Sequence, residues 1–322
     1  MAEAANDVWM YGDPKSWELR TALASYHNVE PFNLVVGEGI DGLLNNVAHL
    51  LVSEGDAVVA SRGTYPTFNY FVAGRGGIMH TVPYGTDDRH NLAALVNKAQ
   101  EVDAKVLYLV NPDNPSGTWH SAERIEMLIE MLPSSCVLVI DEAYYELGPH
   151  EALPAVAVDD LRVLRLRTFS KAYGLAGARI GYALGEPNII SAFDKVRNHF
   201  GIGRISQAGA LAALNDQSYL EHVRSSVAAS RDRLGAIAER YDLTTLPSAT
   251  NFVTMDCGRD ATFAKAVLAE LLEQDIFVRM PGVAPLDRCI RVSAGTDGEL
   301  DLFEKALPIA LEAARRRSSL II

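Results

Sequence analysis

The sequence predicts an α/β fold, with a large, mostly parallel sheet sandwiched by helices and a smaller α+β part at the C-terminal end. Two observations carry this expectation. Between residues 57 and 140, short β-branched runs alternate with helical periodicities, the βαβ pattern of a parallel sheet covered on both faces. Runs such as Val106-Leu107-Tyr108-Leu109-Val110 and Leu138-Val139-Ile140 lack the apolar-polar alternation of a half-exposed strand. They suit strands buried on both sides.

In chain order, residues 1–14 read as an arm, too short and irregular to bury a core alone. Ser16, ahead of Glu18 and the apolar positions Leu19, Ala22, Leu23 and Tyr26, predicts a capped amphipathic helix, and residues 32–36 a strand. The turn Gly37-Glu38-Gly39-Ile40-Asp41-Gly42 opens an apolar helix over 43–51. A Gly-rich turn at a helix N-terminus presents free backbone N–H groups to an anion. Strands at 57–60, 78–82, 106–110, 137–140 and 163–166 follow, with helices around 65–73, 92–101 and 122–132 between them. A strand at 180–184 leads through Gly185-Glu186-Pro187 into a helix at 189–198. Helices at 205–215 and 219–241 come next, the second long enough to bridge two domains. The remainder holds strands at 251–255, 276–279 and 289–292 and helices at 261–273 and 300–315, closed by the dipole-complementing Arg315-Arg316-Arg317. The expected division is an arm at 1–14, a large domain at 15–215 and a small one at 216–322.

Composition narrows the function. A chain of 322 residues with 48% hydrophobic and 22% charged side chains reads as a soluble globular protein with a sizeable core. With 41 acidic against 29 basic side chains, its net charge of -12 argues against nucleic-acid and anionic-membrane partners, so local cations must bind any anion. Cys136, Cys257 and Cys289 are widely spaced and read as reduced core residues. The eight histidines, His150 among them, are scattered without metal-ligand spacing, and no metal is expected. No apolar run is long enough to span a bilayer and the start lacks the regions of a signal peptide, so the cytoplasm is the expected compartment.

The chemistry concentrates in Thr168-Phe169-Ser170-Lys171-Ala172-Tyr173-Gly174-Leu175-Ala176-Gly177-Ala178-Arg179, which follows an apolar-alternating run. These residue types suit a phosphorylated aldehyde. Lys171 supplies an amine to the aldehyde carbon, and a nearby cation with confinement lowers a lysine pKa enough to free it. Thr168 and Ser170 donate to phosphate oxygens, and Arg179 adds a bidentate, charge-assisted contact. Asp141, ending one strand, pairs with a protonated pyridine nitrogen, or else caps a turn. Asn114, in the turn Asn111-Pro112-Asp113-Asn114-Pro115-Ser116-Gly117-Thr118, and Tyr144 reach a phenolic oxygen from two sides. Arg291 sits inside an apolar strand, where a permanent cation needs an anionic partner, from substrate or from an internal ion pair.

These segments resemble a fold-type I pyridoxal-phosphate aminotransferase of class I/II, nearest its histidinol-phosphate aminotransferase branch. The likeness runs in family order through Tyr11-Gly12-Asp13-Pro14 with Leu19-Arg20, residues 36–41, Thr64-Tyr65-Pro66-Thr67, residues 111–118, 141–146 and 168–182, Asn251-Phe252-Val253 and residues 290–296. It implies pyridoxal 5'-phosphate as cofactor, with the amides of Gly39, Ile40 and Asp41 at its phosphate and Tyr65 stacked on its ring. Ile40 stands where many families carry a serine and leaves only its amide. Arg291, with Asn114, is implied to grip a substrate carboxylate, and Tyr11 to reach the cofactor phosphate of the neighbouring subunit in a homodimer. The arm is shorter than the family's. The implied reaction is ping-pong transamination, Lys171 moving the proton, between an amino donor, histidinol phosphate or an aromatic amino acid, and a 2-oxo acid such as 2-oxoglutarate. Two further readings stay open on the residues: a decarboxylase of a phosphorylated amino acid, and a cofactor-binding protein without turnover.

Overall fold

Single-residue alternation within the strands sets the architecture of the computed structural model, which describes residues 1–149 and 158–319, leaving His150 outside the described residues. The chain runs α1 (Trp17–His27), β1 (Leu34–Gly37), α2 (Gly39–Leu51), β2 (Ala57–Ser61), α3 (Thr67–Gly74), β3 (Ile78–Val82), α4 (Leu92–Glu101), β4 (Val106–Val110), α5 (Ala122–Met131), β5 (Val137–Asp141), β6 (Val163–Thr168) and β7 (Gly181–Gly185). These strands form one sheet in the order β1-β7-β6-β5-β4-β2-β3. The five from β3 to β6 pair in parallel, β7 is antiparallel to both neighbours, and six of the seven strands therefore share a direction.

Val58, Ala60, Val106, Tyr108 and Val139 pack on one face beneath α2 and α3, with Leu43, Val47 and Phe68. The residues between them, Val59, Leu107, Leu138 and Ile140, pack on the other face beneath α4 and α5, with Leu95, Ile125 and Leu128. Burial on both faces is why these strands are continuously apolar.

The rest of the chain is α6 (Pro187–Ala192), α7 (Arg204–Asn215), α8 (Gln217–Arg240), β8 (Thr244–Thr245), β9 (Phe252–Asp256), α9 (Ala261–Leu272), β10 (Cys289–Ser293) and α10 (Asp297–Ser319). A second, three-stranded antiparallel sheet has the order β10-β9-β8. Its core takes Leu234 and Ile237 from α8, whereas Leu220 of the same helix packs in a cluster with α1 and α7. Helix α8 thus joins both parts of the molecule. Cys136, Cys257 and Cys289 are buried free thiols. Among the described residues no helix is long and apolar enough to cross a membrane.

Four local expectations are corrected. Ser16 does not cap α1: it adopts φ 45° with no capping hydrogen bond, and Asp13 accepts instead from the N–H groups of Lys15 and Trp17. The strand expected at 32–36 begins at Leu34, after a single 3-10 turn that starts at Pro31. Residues 276–279 form no strand: their one backbone pairing with β10 is the antiparallel bridge between Arg279 and Arg291, although Val278 packs beside Ile290 and Val292, and on the far side of the bridge Pro281 has no N–H with which to extend the ladder. The third strand is Thr244–Thr245. The helix expected over 189–198 starts at Pro187 and tightens after Ala192 into a 3-10 turn, Phe193–Lys195.

Candidate active site

Parallel strands bring their carboxyl ends to one edge, and there Val110 of β4, Asp141 of β5 and Thr168 of β6 line a single cleft of about 180 Å³ with Lys171. Open α/β sheets bind ligands at this edge. The first turn of α2 contributes Ile40 and Asp41, and the loops after β2, β4, β5 and β6 contribute Tyr65, Asn114, Tyr144, Ser170 and Arg179. Residues far apart in sequence, singled out for one chemistry, thus share one space.

Asp141 is 2% exposed. Its Oδ1 accepts from the Ala143 N–H at 3.1 Å, which is turn capping, and its Oδ2 accepts from Tyr108 Oη at 2.9 Å. Burial pushes its pKa up to about 6, against the opposing pull of those two donors. A protonated ring nitrogen would hold such a carboxyl ionised. Lys171 is half-buried; burial lowers its pKa, Asp141 opposes the shift and Arg291 reinforces it. Its Nζ lies 5.3 Å from the centre of the Tyr144 ring. Burial pushes the Tyr144 phenol well up, so it is a hydrogen-bonding group at neutral pH.

Thr168 Oγ1 donates to Ser170 Oγ at 2.9 Å and accepts from the Ser170 N–H at 3.1 Å, gathering two hydroxyls and an amide. Arg179 Nη2 donates to Asp41 Oδ2 at 3.4 Å, and Tyr65 Oη donates to Asp41 Oδ1 at 3.0 Å. Gly39 lies behind this rim rather than in the cleft wall. It has φ +73°, a backbone that calls for glycine, and a Cβ there would stand 2.8 Å from Arg179 Nη2 and displace the tip of that side chain.

A second cavity of about 670 Å³ adjoins the first through Tyr65, Asn114, Tyr144 and Lys171, and Arg291 lies in it. Arg291 donates to the side-chain oxygen of Asn114, and its guanidinium sits 4.7 Å from the Phe252 ring centre. Burial lowers its pKa, Tyr144 opposes this and the neighbouring Arg279 adds to it. Among the described residues the hydrogen-bond partner of Arg291 is thus an amide, and no carboxylate pairs with it. Tyr11 is not in this chain's cleft: it is 80% exposed and packs on Phe200, ring centres 4.9 Å apart.

Sequence reasoning missed two contributors. Arg279 shares the second cavity with Arg291. Tyr108 is the phenol behind Asp141. The signal for Tyr108 was present: one hydroxyl inside an otherwise apolar, doubly covered strand needs a buried acceptor.

The donor set fits pyridoxal 5'-phosphate. A buried carboxyl faces the cleft floor, an amine with a lowered pKa stands beside it, and amides, hydroxyls and Arg179 gather at a glycine-dependent helix start. The fold and this cleft fit an enzyme class that uses such a cofactor, and residues 2–307 match the aminotransferase class I and II family. The chain belongs to that family. Its curated relatives include the histidinol-phosphate aminotransferase of Moorella thermoacetica, 32% identical over 95% of this chain and 79% of the relative. Histidinol-phosphate aminotransferase 2 of Methylococcus capsulatus is 34% identical over 92% of this chain and 81% of its own length. Among solved structures, histidinol-phosphate aminotransferase from Sinorhizobium meliloti in complex with pyridoxal-5'-phosphate superposes with TM-score 0.95 at 51% identity, covering 97% of this chain and 85% of that one.

Proposed function

We propose that this protein transfers an amino group from a phosphorylated or aromatic amino donor, histidinol phosphate foremost, to a 2-oxo acid such as 2-oxoglutarate, using pyridoxal 5'-phosphate. One observation carries the reading: the Lys171 amine and the buried Asp141 carboxyl face one cleft, with a guanidinium pair in the adjoining cavity. The relatives named above support the donor. So do Arg279 and Arg291, because two adjacent cations suit phosphate and carboxylate anions.

When bound, the cofactor supplies an electron sink for the pair left at the donor α-carbon. Asp141 holds the proton on its ring nitrogen, and Tyr108 keeps Asp141 in place. Asn114 and Tyr144 would donate to its phenolic oxygen, and Tyr65 would cover its ring. Thr168, Ser170, Arg179 and the amides of Gly39, Ile40 and Asp41 would hold its phosphate. Arg291 and Asn114 take the substrate anion. Lys171 moves the proton at the α-carbon as general base and then acid, which the lowering of its pKa by burial favours. We also infer a cytoplasmic homodimer, in which Tyr11 reaches the phosphate of the partner's site.

Lys171→Ala tests the reading. The variant should fold, and turnover should fall by at least about a thousandfold, since the general base and acid is gone. In the wild type, borohydride should fix the cofactor on the peptide containing Lys171. A label on another lysine, or carbon dioxide released from a carboxylate-bearing amino donor in place of amino transfer, would overturn it.

A further inference from the structure

Asp113 is fully buried, and five donors converge on its carboxylate. Oδ1 accepts from Thr64 Oγ1 at 2.8 Å and stands 3.1 Å from His90 Nε2. Oδ2 accepts from Tyr84 Oη at 2.9 Å, from Ser116 Oγ at 2.7 Å and from the Ser116 N–H at 3.1 Å. Burial alone would raise its pKa, but His90, Ser116 and Thr64 more than reverse that and hold it below the usual range. The group is therefore a fixed anion.

Only the two Ser116 donors belong to the turn that carries Asp113. Thr64 comes from the loop after β2, and Tyr84 and His90 from the loop after β3. His90 is itself tied to the ends of two strands, its ring nitrogens lying 2.7 Å from Ser61 Oγ of β2 and 2.9 Å from the Val110 carbonyl of β4. Turn formation needs none of these three contacts. Their common effect lies at the site: Thr64 adjoins Tyr65 and Asp113 adjoins Asn114, and Tyr65 and Asn114 both line the cleft and the cavity beside it.

We propose that Asp113 is a positioning residue for the transamination site, locking the loop that carries Tyr65 to the turn that carries Asn114 so that both meet the cofactor as one rigid unit. This rests on Tyr65 covering the ring and Asn114 donating to its phenolic oxygen, as read above. A donor that drifts from that oxygen leaves more negative charge on it, and the neighbouring proton is then held to higher pH.

The experiment is a pH titration of the visible absorbance of the full-length, cofactor-loaded protein, with cofactor affinity measured in parallel. Asp113→Asn keeps the shape but turns an N–H toward groups that themselves donate. Its midpoint should rise by about half to one pH unit, the effect of weakening one hydrogen bond, and its cofactor affinity should fall about tenfold. Thr64→Val severs one tie and should move the midpoint the same way by less. If Asp113→Asn does not fold, Thr64→Val decides. As a control, Leu271→Ala, in the core beneath the small sheet, should lower Tm without moving the midpoint. A wild type that titrates normally while every folded variant keeps its midpoint overturns the positioning role alone. A wild type that binds no cofactor overturns the functional reading, and this proposal with it.

Discussion

Behind Asp141, the next carboxylates in the chain have unlike surroundings. Glu142 is gripped by both Arg165 and Arg167, and those arginines hold it below its usual pKa despite complete burial. Glu146, also buried, has no side-chain hydrogen-bond partner from another described residue, and burial pushes its pKa up to about 7 from 4.5, with Arg167 and its own backbone N–H only partly offsetting the rise. An acid with a raised folded pKa favours folding when protonated. Its contribution is complete below pH 4.5 and is lost as pH rises through about 7. Glu146→Gln should therefore be more stable than wild type at pH 8 by up to about 3 kcal/mol, with the gap closing at pH 4.5. Urea unfolding midpoints at the two pH values measure it, and an equal gap at both would refute it. The sequence made Asp141 legible because it ends an apolar strand. It left Glu146 unreadable, since nothing local in Tyr144-Tyr145-Glu146-Leu147 tells which side chain turns inward.

At the scale of elements, strands that bury both faces were legible as apolar runs, and β4 spans 106–110 as expected. Boundaries were weaker where a side chain outside the helix does the capping. Ser16 stands at the expected place, yet its left-handed backbone turns the hydroxyl away, and Asp13 reaches past it to the Trp17 N–H at 2.6 Å. Asp13→Ala should cost about 1 kcal/mol, the usual loss for an N-cap carboxylate, whereas Ser16→Gly should be neutral or stabilising because φ 45° suits glycine. Thermal unfolding of the two variants compares them, and a larger loss for Ser16→Gly would return the cap to serine. Sequence also missed β8, because two threonines carry no periodicity that marks a strand.

At the scale of the whole molecule, the two parts meet at the site. Arg288, beside β10, donates to Asp256 Oδ2 and Asp88 Oδ2, each at 2.6 Å, so one guanidinium bridges β9 and the loop after β3. Thr254 Oγ1 donates to the Pro115 carbonyl at 2.6 Å, and Arg291 to Asn114, which fixes the small sheet against the turn that carries Asn114. Sequence order supplied the pieces of this site. Their joining was illegible, because contacts between residues more than a hundred positions apart leave no local pattern.

The exposed aromatics give the last prediction. Trp9 and Tyr11 of the arm are 78% and 80% exposed, and Phe200, on which Tyr11 packs, is 52% exposed, more apolar surface than an isolated arm needs. If a second copy covers it in a closed pair, as is commonest for soluble assemblies, Tyr11 serves the partner's cleft and never its own. Tyr11→Ala and Lys171→Ala should each be inactive or nearly so as homodimers. In a heterodimer, the site that lacks Lys171 stays dead. The other has its own Lys171 and receives an intact Tyr11 from the lysine-deficient chain. An equal mixture refolded together should therefore recover about a quarter of wild-type sites, since half the pairs are mixed and each holds one complete site. If Tyr11 acted in its own chain, neither site of the mixed pair would be complete and no activity would return. Light scattering on the wild type fixes the assembly, and a monomeric mass with full turnover would remove the shared site.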